Sequence, residues 1–136
     1  MHSPMLEIED LQVSFVKGDQ LQPVVKGVTF SINPGEVLGI VGQSGSGKST
    51  TIKALLRILS PPGVITGGSI RFKGQDLLDP AGKNIRDFRW VDLSIVMQSA
   101  LNALNPLMTI GDHFIDTIQQ HRKVSRAESL DLARAL

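Results

Sequence analysis

The chain has 136 residues, which fits one domain at roughly 100 to 200 residues per domain and excludes a large two-domain enzyme. Fourteen Lys and Arg stand against 13 Asp and Glu, a formal charge of +1, so no one-signed field recommends a nucleic acid or an acidic membrane surface as partner. With no cysteine, a disulfide framework, a thiolate zinc site and a cysteine nucleophile drop out of this segment, which suits a reducing compartment.

The N-terminal stretch carries Glu7, Glu9 and Asp10 where a signal peptide needs a basic patch and an apolar core, and no run approaches ~18 apolar residues. The sequence therefore predicts neither export by that route nor a membrane span. Leu6 and Ile8 alternate with Glu7 and Glu9, then Leu11, Val13 and Phe15 continue on the opposite parity, which predicts a half-solvated strand with a bulge near Asp10. Lys17, Gly18 and Asp19 supply a turn. Val28, Phe30 and Ile32 alternate with Thr29, Ser31 and Asn33 as a second, antiparallel strand that stops at Asn33-Pro34-Gly35. The continuous apolar run Val37 to Val41 predicts a parallel strand buried on both faces.

A helix should follow, with Ile52, Leu55, Leu56 and Leu59 on one face and Ser60-Pro61-Pro62-Gly63 ending the segment. Ile70 and Phe72 mark a short strand closed by Gly74 to Asp76. Residues 79–83 read as loop, Ile85 to Trp90 as a helical turn, and Leu93 to Met97 as a strand ending at Gln98. The Asn- and Pro-bearing stretch from Ser99 to Met108 reads as loop. Thr109 caps a helix whose inward face is Ile110, Phe114, Ile115 and Ile118, with His121, Arg122 and Lys123 at its negative end. Ser125 to Glu128 is a capping box for a last helix through Leu130, Ala133 and Leu136, which meets no stop signal. There is no internal repeat or low-complexity segment.

Gly42-Gln43-Ser44-Gly45-Ser46-Gly47-Lys48-Ser49 matches G-x-x-x-x-G-K-S/T at every fixed position, between the expected buried strand and the expected helix. By chance alone this pattern arises in a chain of this length on the order of once in a hundred or less. The glycines Gly42, Gly45 and Gly47 let backbone wrap a phosphate through φ values that a Cβ obstructs. Successive N–H groups from Ser44 through Ser46 to Ser49, backed by a helix N-terminus, form an anion cradle. Lys48 brings a mobile charge to the β- and γ-phosphates, Ser49 an oxygen to Mg²⁺, and Thr50 a hydroxyl near the α-phosphate. Such a loop leaves motor ATPases, GTPases and small-molecule kinases open. Asp79-Pro80-Ala81-Gly82 has the D-x-x-G form of a GTPase switch, yet only Leu77 and Leu78 precede it and no N-K-x-D occurs, so it reads as a plain turn. His2, His113 and His121 share no ligand spacing. The spacing of Trp90 from Ile85 and Phe88 predicts helix packing for the only tryptophan.

With Gly42 to Thr50 in place, the surrounding residues resemble ATP-binding cassette transporter subunits along the whole chain. VLGIVGQSGSGKST resembles that family's strand and Walker A, GGSIRFKGQDL its following strand and turn, and LSIVMQSALNALNPLMTIGD its Q-loop region. The segment LNPLMTIG looks like the subfamily that powers oligopeptide, dipeptide and nickel importers. The resemblance implies an α/β fold, a P-loop NTPase of ABC type. It divides the chain into an antiparallel β subdomain at residues 1–35, a partly parallel P-loop core at 36–98, and a Q-loop with the start of a helical subdomain at 99–136. It also implies that Gln98 touches Mg²⁺ and the attacking water, and that the loop after it meets membrane subunits. An aromatic near the end of the first strand stacks on adenine in this family. Phe15 is the matching residue, although a tyrosine is more usual there, and its parity with Leu11 and Val13 equally suits sheet packing.

The implied role is the ATP-binding subunit of a peptide-type importer, using ATP and Mg²⁺ with Lys48 and Gln98 in catalysis. Its implied partners are transmembrane permease subunits, a second ATP-binding subunit and, indirectly, an extracytoplasmic binding protein, with no nucleic acid. Its implied place is the cytoplasmic face of a prokaryotic membrane, as a peripheral protein. Two other classes remain open: an ABC-type ATPase acting on DNA or ribosomes, and another soluble P-loop NTPase or kinase. The family's LSGGQ signature, Walker B aspartate, catalytic glutamate and switch histidine do not occur, so the sequence reads as an N-terminal fragment of a longer subunit. Such a fragment is expected to bind nucleotide at most, and to leave the strands at 37–41 and 93–97 without neighbours, favouring self-association or disorder of 99–136.

Overall fold

The computed structural model describes residues 3–81, 85–96, 98 and 104–135. They form two compact units, Met1–Arg89 and Trp90–Leu136. Among the described residues of the first unit are strands β1 (Leu6–Lys17), β2 (Gln20–Ile32), β3 (Gly63–Phe72) and β4 (Gln75–Asp76), and helices α1 (Lys48–Leu55) and α2 (Ile85–Phe88). The second unit contributes α3 (Ile110–His121) and α4 (Arg126–Arg134).

The strands make one antiparallel sheet in the order β2-β1-β3-β4. The expected bulge is present: the register of β1 against both neighbours shifts after Ile8 and Glu9, Asp10 adopts a φ of 48°, and its N–H donates to Thr29 Oγ1 at 2.9 Å. The extra residue moves the inward set from Leu6 and Ile8 to Leu11 and Val13, all buried. β2 begins at Gln20, well before the expected start at Val28. Its first half pairs with Gln12 to Lys17, and Pro23 with the adjacent pair Val24-Val25 interrupts the alternation there. Pro23 is tolerated because β2 is an edge strand in this sheet. β3 and β4 are joined by Lys73 and Gly74, both at positive φ, the backbone that tight hairpin turns require.

The core lies on one side of this sheet. Ile8, Leu11, Val13, Ile70 and Phe72 are buried there together with Leu77, Ile85 and Phe88. The Phe72 and Phe88 rings meet edge to face at 5.8 Å between centroids, a geometry that aligns a positive ring edge with a negative face. Helix α1 buries Thr51 and Ala54, whereas Ile52 is exposed; the inward face is thus offset from the expected apolar stripe. The helix also ends earlier than expected. Arg57 N–H bonds to Ala54 O and Ile58 N–H to Lys53 O, and Arg57 takes the left-handed conformation that glycine usually supplies in such a cap. Arg57 Nη1 donates to Leu77 O at 3.0 Å, and Arg89 Nη2 donates to Leu56 O and Arg57 O at 2.7 and 2.8 Å. The Arg89 contacts hold otherwise free carbonyls of the helix end, and the Arg57 contact ties that end to the segment after β4.

Three expectations are corrected. Val37 to Val41 is not a strand: the segment has no ladder partner among the described residues, and Val37 and Val41 are 95% and 94% exposed. Leu93 to Met97 is likewise not a strand; Leu93 makes an isolated bridge, Ser94 to Val96 are irregular with Val96 exposed, and Met97 lies outside the described residues. An apolar run becomes a parallel strand only when neighbours accept from its N–H groups and donate to its C=O groups, and the partly parallel core therefore has no counterpart among the described residues. Trp90, beyond the end of α2 at a φ of 61°, is 61% exposed instead of packed; Phe88 takes the inward place.

In the second unit both expected caps form. Thr109 Oγ1 accepts the Asp112 N–H and Ser125 Oγ the Glu128 N–H, and each carboxylate reaches back to its cap residue's N–H. Ile115 is the buried residue of α3, while Ile110 and Phe114 are exposed, so the inward face is narrower than expected. Leu130 approaches α3 at Gly111, and Ser129 is fully buried with its hydroxyl bonded to Ser125 O at 2.9 Å; Leu136 lies outside the described residues. Arg126 pairs with Asp112 across the two helices.

The Thr109 hydroxyl, donating to Asp112 at 2.6 Å, and then Arg126 hold the Asp112 carboxyl at about 2, against an ordinary 3.8. Ser125 lowers Glu128 in the same way. A carboxyl depressed on folding stabilises the fold above its unfolded pKa of ~3.9, and that contribution disappears as pH falls through the folded value. The α3–α4 hairpin should accordingly loosen between about pH 4 and pH 2. Thr109→Ala is expected to raise the Asp112 pKa toward the ordinary value, and by more than Arg126→Ala does. Carboxyl-carbon NMR titration reads both shifts, and an unmoved Asp112 in Thr109→Ala would show that the hydroxyl is not the cause.

Candidate functional site

The loop from Gly42 runs into α1 through Gly47, the N-cap, which sits at a φ of 93°. A helix leaves its first N–H groups without intrahelical partners. Here no side chain of the described residues caps them, and the first turn carries no acid. Free donors at the positive end of a helix are what an anion needs. Gly45 also lies in the left-handed region, at 80°, which orients successive N–H groups to one side of the loop.

Close approach to backbone constrains Gly47, while the atom nearest a side chain at Gly42 is a rotatable hydroxyl. A Cβ on Gly47 would lie 3.2 Å from Val24 O and 3.4 Å from Val25 Cγ2, and one on Gly42 would lie 2.9 Å from Ser46 Oγ. Val24 reaches the loop because it is an extra residue in β2: Val13 pairs with Val25 and Ser14 with Pro23, leaving Val24 between. Thr51, which is buried, fastens the other side. Its N–H and its hydroxyl both donate to Gly47 O, at 2.8 and 3.0 Å.

Lys48 Nζ donates to Gly42 O at 2.7 Å, Gln43 O at 2.6 Å and Ser46 Oγ at 3.3 Å. The ammonium thus lies across its own loop, satisfied by neutral oxygens. Phosphate oxygens, being anionic, would make stronger bonds with the same donor. Phe15 and Val24 join Ser44 to Thr50 around a cleft of about 670 Å³, within the range of small-molecule sites. Phe15 follows the Leu11 and Val13 alternation of β1 but stands past the edge of the core, 36% exposed and opposite Gly63 of β3. The contact that would make it a core residue is therefore incomplete.

The structure gathers Phe15, Ser44, Gly45, Ser46, Gly47, Lys48, Ser49 and Thr50 around this cleft. Gly42 lines an adjoining groove with Val28, Phe30, Leu38 and Ile40. Gln98 belongs to the second unit and is exposed in a turn. Asp79 accepts the Ala81 N–H through its own carboxylate at 2.9 Å, the local bond of a turn residue; Gly82 lies outside the described residues, as does His2. Among the described residues no three His, Cys, Asp or Glu gather as a metal site. Ser49 is exposed in the cleft wall and offers a hard oxygen, the donor type that Mg²⁺ takes alongside phosphate oxygens. Sequence reasoning missed Val24, Thr51 and Gly63. Only the turn signal at Gly63 marked any of them, and it spoke of chain direction and said nothing of a partner across the sheet.

A glycine-rich turn on an uncapped helix N-terminus, with a lysine and hydroxyls at its lip, defines a phosphate-binding P-loop protein. Residues 25–135 match the ABC transporter family model, and the chain belongs to that family. It is 36% identical to the oligopeptide transport ATP-binding protein OppD of Bacillus subtilis, over 90% of this chain and 34% of the relative. To OppD of Salmonella typhimurium it is 36% identical over 93% of this chain and 38% of the relative. To the dipeptide transport ATP-binding protein DppD of Bacillus subtilis it is 37% identical over 90% of this chain and 37% of the relative. The chain thus spans 34 to 38% of the length of these relatives.

The two left-handed glycines of the loop differ in their surroundings. A Cβ on Gly45 meets nothing within 4 Å, so Gly45→Ala should lose only the backbone preference, about 1 to 2 kcal/mol. Gly47→Ala should lose at least ~1 kcal/mol more, because Val24 O is backbone and gives way reluctantly. Chemical denaturation of the two variants measures the difference; equal losses would show that the β2 bulge yields freely.

Proposed function

We propose that the protein binds ATP with Mg²⁺ in the cleft around Gly42 to Thr50 and serves as the ATP-binding, ATP-hydrolysing subunit of an importer for peptides. The observation that carries the nucleotide reading is the uncapped α1 N-terminus behind a loop that holds Gly45 and Gly47 in the left-handed region, with Gly47 also close against the Val24 carbonyl. Support for the peptide cargo comes from the relatives' names, which are those of oligopeptide and dipeptide transport proteins. The division into a β subdomain at 1–35, a P-loop core at 36–98 and the start of a helical subdomain at 99–136 belongs to the same proposal.

In this reading the N–H groups from Ser44 to Ser49 receive the phosphates. Lys48 exchanges its carbonyl partners for β- and γ-phosphate oxygens, and the Thr50 hydroxyl serves the α-phosphate. Phe15 offers a ring to adenine, a contact that reads a face and so discriminates weakly against other bases. Ser49 and Gln98 would hold Mg²⁺, which when bound neutralises charge on the phosphate oxygens. Gln98 additionally orients water and couples the site to permease subunits, its exposed turn leaving it free to change partners. The assembly includes a second ATP-binding subunit and, indirectly, an extracytoplasmic binding protein. No helix among the described residues is long and apolar enough to cross a membrane; the place proposed for the subunit is the cytoplasmic face, held there by its permeases.

Lys48→Ala removes a charge-assisted contact of about 1.5 to 3 kcal/mol, so ATP should bind roughly ten- to hundredfold more weakly. Calorimetry on the intact protein reads this, and unchanged affinity would sink the phosphate assignment. Gln98→Ala in the assembled transporter is expected to lower transport-coupled turnover while leaving nucleotide affinity nearly intact. Normal transport by that variant would refute the coupling role.

A further inference from the structure

Phe15 and Gly63 are paired across β1 and β3, and the Phe15 ring lies where a side chain on residue 63 would project. A Cβ on Gly63 would stand 2.9 Å from Phe15 Cε1 and 3.3 Å from Cδ1, with Ser60 O at 3.3 Å as well. That oxygen accepts Gly63's own N–H at 3.0 Å, and the neighbouring Pro62 O accepts the Val16 N–H at 2.9 Å. The backbone around Gly63 is therefore tied both to its own turn and to the end of β1. An added methyl group finds little freedom on that side. The exposed ring, which turns about two side-chain torsions, is the part that moves.

We propose that Gly63 is a positioning residue for nucleotide-base recognition: its missing side chain lets the Phe15 ring lie over β3 and holds it at the mouth of the cleft lined by Ser44 to Thr50. This rests on the reading of Phe15 as the adenine contact. An aromatic laid over a cross-strand glycine also covers backbone that would otherwise face water, which favours the observed rotamer before any ligand arrives. Base affinity then depends on a residue that itself touches only the ring.

The test is calorimetry on the intact protein with Mg-ATP and, separately, with inorganic tripolyphosphate, for Gly63→Ala, Phe15→Ala and the double variant. Gly63→Ala should weaken ATP by about three- to tenfold, a modest share of what loss of a whole stacking contact costs. Tripolyphosphate binding should stay unchanged, which also shows that the loop and sheet remain folded. In the Phe15→Ala background the substitution at 63 should add nothing, the signature of two residues acting through one contact. Gly63→Ser, which adds the same Cβ, should reproduce the result. If Phe15→Ala weakens ATP selectively and Gly63→Ala does not, the positioning role is overturned while the base contact stands. Equal losses of both ligands in Gly63→Ala would make the glycine structural and overturn the role too. Equal effects of Phe15→Ala on both ligands would overturn the base contact itself, and the proposal with it.

Discussion

The close approach of Gly47 to the carbonyl of Val24 joins the two halves of the site. It sets the N-terminus of α1 on the edge of the sheet, where Thr51 then fixes the same glycine through a doubly accepted carbonyl. A Cβ on Gly47 would meet a backbone oxygen, which cannot give way by changing a rotamer. That is why the loop demands glycine at this point, and why β2 carries an unpaired residue at the matching point. A phosphate cradle must hold several N–H groups to within fractions of an ångström, and only rigid elements maintain such placement.

The Lys48 ammonium shows how the site meets the rule that charged groups need partners. Its hydrogen bonds go to two carbonyls and a hydroxyl of its own loop. The contacts are short and local, so the side chain needs little rearrangement to serve a new acceptor. With an anion at the helix end, Lys48 would exchange neutral partners for a charged one in a place where the helix already favours negative charge. Phe15 is the apolar complement. It shares one alternation with Leu11 and Val13, yet it extends past the core into the cleft.

Val37 to Val41 illustrates what an apolar pattern does and does not decide. Leu38 and Ile40 border the groove with Val28 and Phe30, while Val37 and Val41 face solvent. The residues have the composition of a doubly covered strand. The covering faces and the hydrogen-bonding neighbours are other parts of a chain, and composition contains no statement about them. The same holds for Leu93 to Val96, and Trp90 adds the point that helical spacing carries no weight beyond the last helical residue, where φ has already changed sign.

Much of the local structure was written in the sequence, because its causes are short-range. The bulge at Asp10, the caps at Thr109 and Ser125 and the turn at Asn33 to Gly35 follow from alternation, cap chemistry and turn residues within a few positions of one another. The phosphate loop belongs with them, since its spacing and its glycines are local requirements of one ligand. Tertiary structure decided the rest: the early start of β2, the face α1 buries, the left-handed Arg57 cap, and the neighbours Val24, Thr51 and Gly63 that shape the cleft. Each depends on residues tens of positions apart meeting across a register or a helix face. A register is a property of two strands at once, and no pattern within either one states it.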